Sequence, residues 1–305
     1  MYQLVINNCV RENAEEISDF LEEFGALAVT MLDKFDDAIL EPELGTMPLW
    51  PNVILNAIYP DDEDFDFLKQ LLSDRYPDCI YSIDKVPEKE WEKECLVDFK
   101  PQKFGDKLLV CPSWITPPTT DTINLTLDPG LAFGTGAHST TALCLTYLEK
   151  IDLKNKNIID YGCGSGILGL AALKLGCKHV IAVDIDDQAL LATKKNATTN
   201  NINDSQITIV KPELLTGKAD IILANILLKT LIDLKSDFIK LLDSSHIANH
   251  SRDFSIKPNG LLVASGVLAT QVEELITEFE PEFSLITIEY NGDWALLVFR
   301  WTHNK

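Results

Sequence analysis

Among the seven cysteines of this 305-residue sequence, at positions 9, 79, 95, 111, 144, 163 and 177, no two stand as C-x-x-C. The number is odd and the positions are scattered, which excludes a paired zinc or redox motif and reads as reduced, mostly buried thiols in a cytoplasm. The five histidines make no metal-ligand spacing, and His246 and His250 lack a carboxylate or thiol partner set, so no metal is expected. No apolar stretch reaches the roughly 18 residues that a membrane span needs. No basic n-region followed by an apolar h-region opens the chain, so no secretory signal is expected.

Basic residues are scarce: 26 Lys and Arg stand against 47 Asp and Glu, a net charge of −21. The imbalance is concentrated in residues 1–100, where 24 acidic and 8 basic residues leave −16; the remaining 205 carry 23 and 18. Nucleic-acid binding needs a basic face, so the front of the chain is not expected to hold RNA or DNA directly. It suits steering of a basic protein partner, or only solubility. The hydrophobic fraction of 46% is ordinary and allows a sizeable core, and the length suits two domains.

In order along the chain, Tyr2–Asn8 alternates as a strand, and Asn13–Phe24 has helical spacing with Gly25 as its C′ residue. Leu27–Leu32 and Val53–Tyr59 read as strands around a loop at Asp33–Pro51. Asp61–Asp64 places carboxylates at the start of a helix that runs to about Ser73. Ile80–Val86 is a fourth strand. The order βαββαβ predicts a ferredoxin-like sandwich over residues 1–86. RNA-recognition modules share that order, but these strands lack the basic residues such modules use. Residues 87–105 read as a linker with a charged helical run at Pro87–Phe99, in which Trp91 packs or touches substrate. Lys107–Cys111 is a short strand at the start of a second domain, 106–305.

The centre of that domain is Ile158-Ile159-Asp160-Tyr161-Gly162-Cys163-Gly164-Ser165-Gly166-Ile167: an apolar run, a carboxylate, glycines at every second position, then an apolar helical pattern. This reads as strand, tight turn and helix, with the glycines letting the backbone turn and approach a ligand. A dinucleotide site would use G-x-G-x-x-G against a pyrophosphate. Here the spacing is G-x-G-x-G, and Asp160 beside it suits a cationic ligand. Val180–Val183 is a buried-type strand ending in Asp184, 22 residues after Gly162, where a carboxylate can accept both ribose hydroxyls. The arrangement resembles the first motifs of Rossmann-like S-adenosylmethionine-dependent methyltransferases.

Upstream, Leu127–Thr141 holds four glycine or proline residues, one aromatic and several hydroxyls, and suits a flap over a small ligand; a helix begins near Thr140. Downstream, strand and helix alternate: helix Ala189–Asn200, strands Ile207–Lys211 and Ile221–Ala224, helix Leu227–Leu242, strand Gly260–Ser265, helix Val272–Glu278, then Ser284–Glu289 and Ala295–Arg300 joined through Asn291-Gly292-Asp293. This predicts an α/β, doubly wound, mostly parallel sheet closed by a hairpin. Residues 244–255 read as a surface insertion.

The runs LDPGLAFGTGAHSTTALCL, DYGCGSGILGLAALKLG and AVDID, with DFKPQKFGDKLLVCPSW and ANIL at 224–227, resemble the methyltransferases of large-subunit ribosomal protein L11 (L-eleven). The family usually has Thr and Pro where this chain has Ala137 and Ser139. The resemblance implies a Rossmann-like class I methyltransferase domain behind an N-terminal substrate-recognition domain, S-adenosylmethionine as cofactor with S-adenosylhomocysteine as product, and multiple methylation of lysine and N-terminal amines, up to trimethylation. On this reading the cofactor candidates are Gly134, Thr135, Thr141, Asp160, Gly162, Gly164, Gly166, Asp184 and Asn225. Asn225 would aim the amine, and Phe133 would stack on its aliphatic arm or on the sulfonium. Asn225 is followed by Ile226-Leu227-Leu228 rather than an aromatic, which argues against a flipped adenine as target. The alternatives are a methyltransferase acting on another protein, a small molecule or RNA, and a non-catalytic cofactor-binding scaffold.

Overall fold

The computed structural model describes residues 1–35, 39, 46–87, 99–117, 121–128, 136, 138–242 and 260–302. The chain divides into two compact units, Met1–Trp91 and Glu92–Lys305. The expected helical linker run with Trp91, and the insertion at 244–255, lie outside the described residues.

In the first unit the order is β1 (Tyr2–Val10), α1 (Arg11–Glu23), β2 (Ala28–Asp33), β3 (Asn52–Tyr59), α2 (Phe65–Arg75) and β4 (Tyr81–Lys85). The strands form one antiparallel sheet in the order β2-β3-β1-β4, the ferredoxin-like arrangement. Period-2 burial makes this possible: Val53, Leu55, Ala57 and Tyr59 point to one face, where Ala14, Ile17 and Leu21 of α1 and Leu68 and Leu72 of α2 cover them. Gly25 takes φ +95° just beyond α1, as a left-handed helix end requires. Asp64 caps α2 by accepting from the N–H groups of Asp66 and Phe67, each at 3.2 Å.

The second unit opens with a three-stranded sheet: β5 (Gln102–Phe104), β6 (Leu108–Cys111) and β7 (Ile123–Thr126). Only β6 was legible from the sequence; β5 falls within the stretch expected as linker. Then come α3 (Ser139–Lys150), β8 (Asn157–Tyr161), α4 (Ile167–Lys174), β9 (His179–Val183), α5 (Asp187–Thr199), β10 (Ile207–Val210), β11 (Ile221–Asn225), α6 (Leu228–Asp233), α7 (Lys235–Leu242), β12 (Leu261–Leu268), α8 (Val272–Phe279), β13 (Phe283–Asn291) and β14 (Trp294–Trp301). Seven strands line up as β10-β9-β8-β11-β12-β14-β13. The first five are parallel, and the β13–β14 hairpin closes the edge antiparallel.

Both faces of this sheet are covered, and alternate residues of each strand serve different faces. Ile158, Val180 and Leu223 join one core with Leu145 and Leu148 of α3 and Leu170 of α4. Ile159, Ile222 and Ala224 join the other with Leu231 of α6, Phe238 of α7 and Leu275 of α8. Strands buried on both sides read as continuous apolar runs, which is why they stood out in the sequence. The single helix expected over Leu227–Leu242 is two, breaking at Leu234, so that Leu228 and Leu231 pack on one segment and Phe238 and Leu242 on the next.

Candidate active site

The carboxyl ends of β8, β9 and β11 lie side by side, and the sequence-derived candidates cluster there. Leaving β8, Gly162, Gly164 and Gly166 all take positive φ, at +74°, +53° and +80°, values that side chains with a Cβ adopt at a cost. The N–H groups of Gly162 and Cys163 both donate to the carbonyl of Val183, at 2.8 and 3.0 Å, tying the bend to β9. The Gly164 N–H donates to Oδ2 of Asp184 at 2.9 Å, and the Asp186 N–H donates to Oδ1 at 3.0 Å. Gly164 and Asp184, 20 residues apart, are thus in direct contact. Beside them Ile185 is 81% exposed, an apolar surface at a strand tip that periodicity alone had not marked.

Asp160 stands behind the bend. It is 1% exposed, and its Oδ2 accepts from the Gly169 N–H at 2.8 Å, anchoring the first turn of α4. Burial is the main reason its carboxyl is pushed up to about 7; the nearby charge of Asp184 adds to this and the Gly169 hydrogen bond opposes it. Gly169 has to be glycine here, because a Cβ would lie 2.8 Å from Val180 Cγ1 and 3.0 Å from Asp160 Oδ2. Burial, then the charge of Asp160, push the Cys163 thiol upward, which removes it as a nucleophile at neutral pH.

The bend is also held from α5, by residues not identified from the sequence. Thr193 is fully buried; its hydroxyl donates to the Gly164 carbonyl at 3.0 Å and lies 3.4 Å from Cys163 Sγ. A Cβ on Gly166 would meet Thr193 at 2.8 Å. Asn196 Nδ2 donates to the Ser165 carbonyl at 2.9 Å. One turn on, Asn200 pairs with both backbone groups of Thr126, accepting at 2.8 Å and donating at 2.7 Å, and so fixes β7 to the end of α5.

At the end of β11, Asn225 is half-buried, and its Nδ2 donates to Thr141 Oγ1 at 3.4 Å. Thr141 is 1% exposed in the first turn of α3, so two candidates 84 residues apart meet. With its nitrogen engaged, the amide keeps its oxygen as an acceptor. His138 caps α3: Nδ1 accepts from the Thr140 N–H at 3.3 Å and lies 2.7 Å from the Thr140 hydroxyl. Its ring packs edge-on against Trp294, with centroids 5.0 Å apart. Phe133, Gly134 and Thr135 lie outside the described residues. No cluster of three or more His, Cys, Asp or Glu side chains suited to a metal occurs among the described residues.

A glycine bend and a carboxylate at adjacent strand tips are general to nucleoside-binding α/β sheets; comparison with known proteins narrows the group. The family model described as "Ribosomal protein L11 methyltransferase (PrmA)" matches residues 1–302. A "Ribosomal protein L11 methyltransferase" of Legionella pneumophila (strain Corby) is 50% identical over 299 residues, covering 98% of each chain. One of Actinobacillus pleuropneumoniae serotype 3 (strain JL03) is 41% identical over 292 residues, covering 94% of this chain and 95% of the other. The crystal structure of a ribosomal protein L11 methylase from Lactobacillus delbrueckii subsp. bulgaricus superposes with a TM-score of 0.56 at 31% identity, over 67% of this chain and all of that one. With a family match that runs through both units and relatives that span nearly its whole length, this chain belongs to the ribosomal protein L11 methyltransferase family.

Proposed function

We propose that this protein transfers methyl groups from S-adenosylmethionine to lysine side-chain and N-terminal amines of ribosomal protein L11. The observation that carries the reading is the meeting of two residue pairs at neighbouring strand tips: Gly164 with Asp184, and Asn225 with Thr141. The residues suit a sulfonium nucleoside on their own chemistry. Three positive-φ glycines let a ligand approach the backbone, the Asp184 carboxylate suits ribose hydroxyls, and exposed Ile185 offers an apolar face for a base. The Asp184 carboxylate beside the bend disfavours a pyrophosphate there.

S-adenosylmethionine, when bound, supplies a methyl group already activated for transfer, so the protein's task is orientation. Each oxygen of Asp184 accepts one backbone N–H and keeps further acceptor capacity for the ribose hydroxyls. Asp160, behind the bend, supports the methionine end by holding the Gly169 N–H in the first turn of α4. Gly162 and Gly166 shape the bend. The Thr141 hydroxyl accepts from the Asn225 amide nitrogen and would contact the methionine end of the cofactor, while the amide oxygen would accept from the target amine and orient its lone pair for transfer. The amine has to arrive neutral, and its proton passes to solvent. Phe133 is a candidate to meet the aliphatic arm of the lysine or the sulfonium, and Gly134 and Thr135 are candidates to contact the cofactor.

Residues 1–86 serve as the recognition domain. Their acidity steers a basic polypeptide and disfavours direct nucleic-acid binding. No helix among the described residues is long and apolar enough to cross a membrane, and a ribosomal substrate suits an enzyme that works in the cytoplasm. Incubation with labelled S-adenosylmethionine and either purified L11 or ribosomal RNA tests the reading: label on L11 supports it, and label on RNA alone overturns it.

A further inference from the structure

The structure carries an arrangement around Ile226 that has no counterpart in the roles assigned above. Ile226 directly follows Asn225, and its N–H donates to the Ser265 carbonyl at 3.1 Å, extending the β11–β12 ladder one residue past the strand end. Two glycines from distant parts of the chain make room for it. A Cβ on Gly266, which takes φ +82° at an irregularity in the β12–β14 register, would lie 2.6 Å from the Ile226 carbonyl oxygen and 3.0 Å from its nitrogen. A Cβ on Gly162 would lie 2.5 Å from Ile226 Cγ2. Main chain therefore meets one glycine and side chain the other, and neither site tolerates a methyl group without movement. Packed interiors transmit such displacements rather than absorb them, so a change in the Ile226 side chain is felt at Gly162.

We propose that Ile226 is a positioning residue that sets the spacing between the methyl-donor loop at Gly162 and the amine-orienting amide of Asn225. This rests on the assignment of those two elements above. The residue touches neither ligand in this scheme; it acts through both neighbours. Its β-branched side chain suits the task, since χ1 is confined and Cγ2 is held in one place.

The test uses the full-length protein and two readouts. Ile226→Val keeps Cγ2 and leaves turnover near wild type. Ile226→Ala removes it, and turnover falls by roughly ten- to a hundredfold, the scale of a misplacement of about 1 Å, with KM for the cofactor little changed. Equal loss in the Val and Ala variants, or loss confined to KM, overturns the proposal. The second readout is calorimetric affinity for S-adenosylhomocysteine. Gly162→Ala weakens it, and Gly162→Ala/Ile226→Ala recovers roughly three- to tenfold, because removing Cγ2 relieves the collision; strictly additive effects overturn the proposal. Since calorimetry needs no protein substrate, coupling in binding without methylation of L11 would count against the L11 assignment while sustaining the spacer, and no binding by the wild-type protein would overturn both.

Discussion

Asp184 and Gly164 are joined by a hydrogen bond of 2.9 Å, so the carboxylate proposed to hold the ribose also holds the glycine bend in place. Asp184→Ala removes both functions. Affinity for S-adenosylhomocysteine is expected to fall by about 1–3 kcal/mol, the usual range for charge-assisted hydrogen bonds. Isothermal calorimetry checks it, and an unchanged dissociation constant would remove Asp184 from the site.

Thr193 supports the same bend from behind. Thr193→Val keeps the volume packed against Gly166 but loses the donor to the Gly164 carbonyl. An expected loss of about 0.5–1.5 kcal/mol in cofactor affinity follows from one missing hydrogen bond, plus the cost of an unpaired carbonyl. Thr193→Ser, which keeps the hydroxyl, should bind more tightly than the valine variant in the same titration.

Asp160 gives a pH dependence. Its folded carboxyl titrates near 7, above the unfolded value near 3.8, so between those values the folded state holds a proton that the unfolded state has released. Its contribution to stability is therefore fully present below about pH 4 and is lost as pH rises towards 7, at up to about 1.4 kcal/mol per pH unit. Asp160→Asn keeps an acceptor for the Gly169 N–H and removes the titration. Chemical denaturation of the ligand-free protein from pH 5 to 8 should show a shallower fall with pH for the variant than for wild type.

The first unit has its own buried core around Leu4, Leu55, Tyr59 and Leu72, apart from the cores flanking the seven-stranded sheet. Deleting residues 1–86 is expected to spare calorimetric cofactor binding and to abolish methylation of L11. Retained turnover would show that the acidic unit is not the recognition element.

What the sequence made legible was local. The glycine bend has a fixed spacing, strands buried on both faces appear as apolar runs, and Asp184 ends such a run, so Gly162, Gly164, Asp184 and Asn225 could be placed before any coordinates. Residues that act across the fold gave no such signal. Thr193 and Asn196 are ordinary helix-interior residues in sequence, and only the approach of α5 to the bend gives them partners. β5 and β7, three and four residues long, are too short for periodicity to register. The strand expected over Gly260–Ser265 runs on to Leu268, past Gly266, whose bare Cα leaves room for Ile226. The meeting of Asn225 with Thr141 depends on where α3 docks, which its own sequence does not state.

The measurement that bears most directly on the account is the intact mass of purified L11 after incubation with S-adenosylmethionine and either wild-type protein or Asn225→Ala. The account predicts mass gains in whole methyl increments at amine positions with wild type, and at least roughly a hundredfold slower gain with the variant, as expected when a reacting group loses its alignment. No mass gain with wild type, or equal rates for the two proteins, would contradict it.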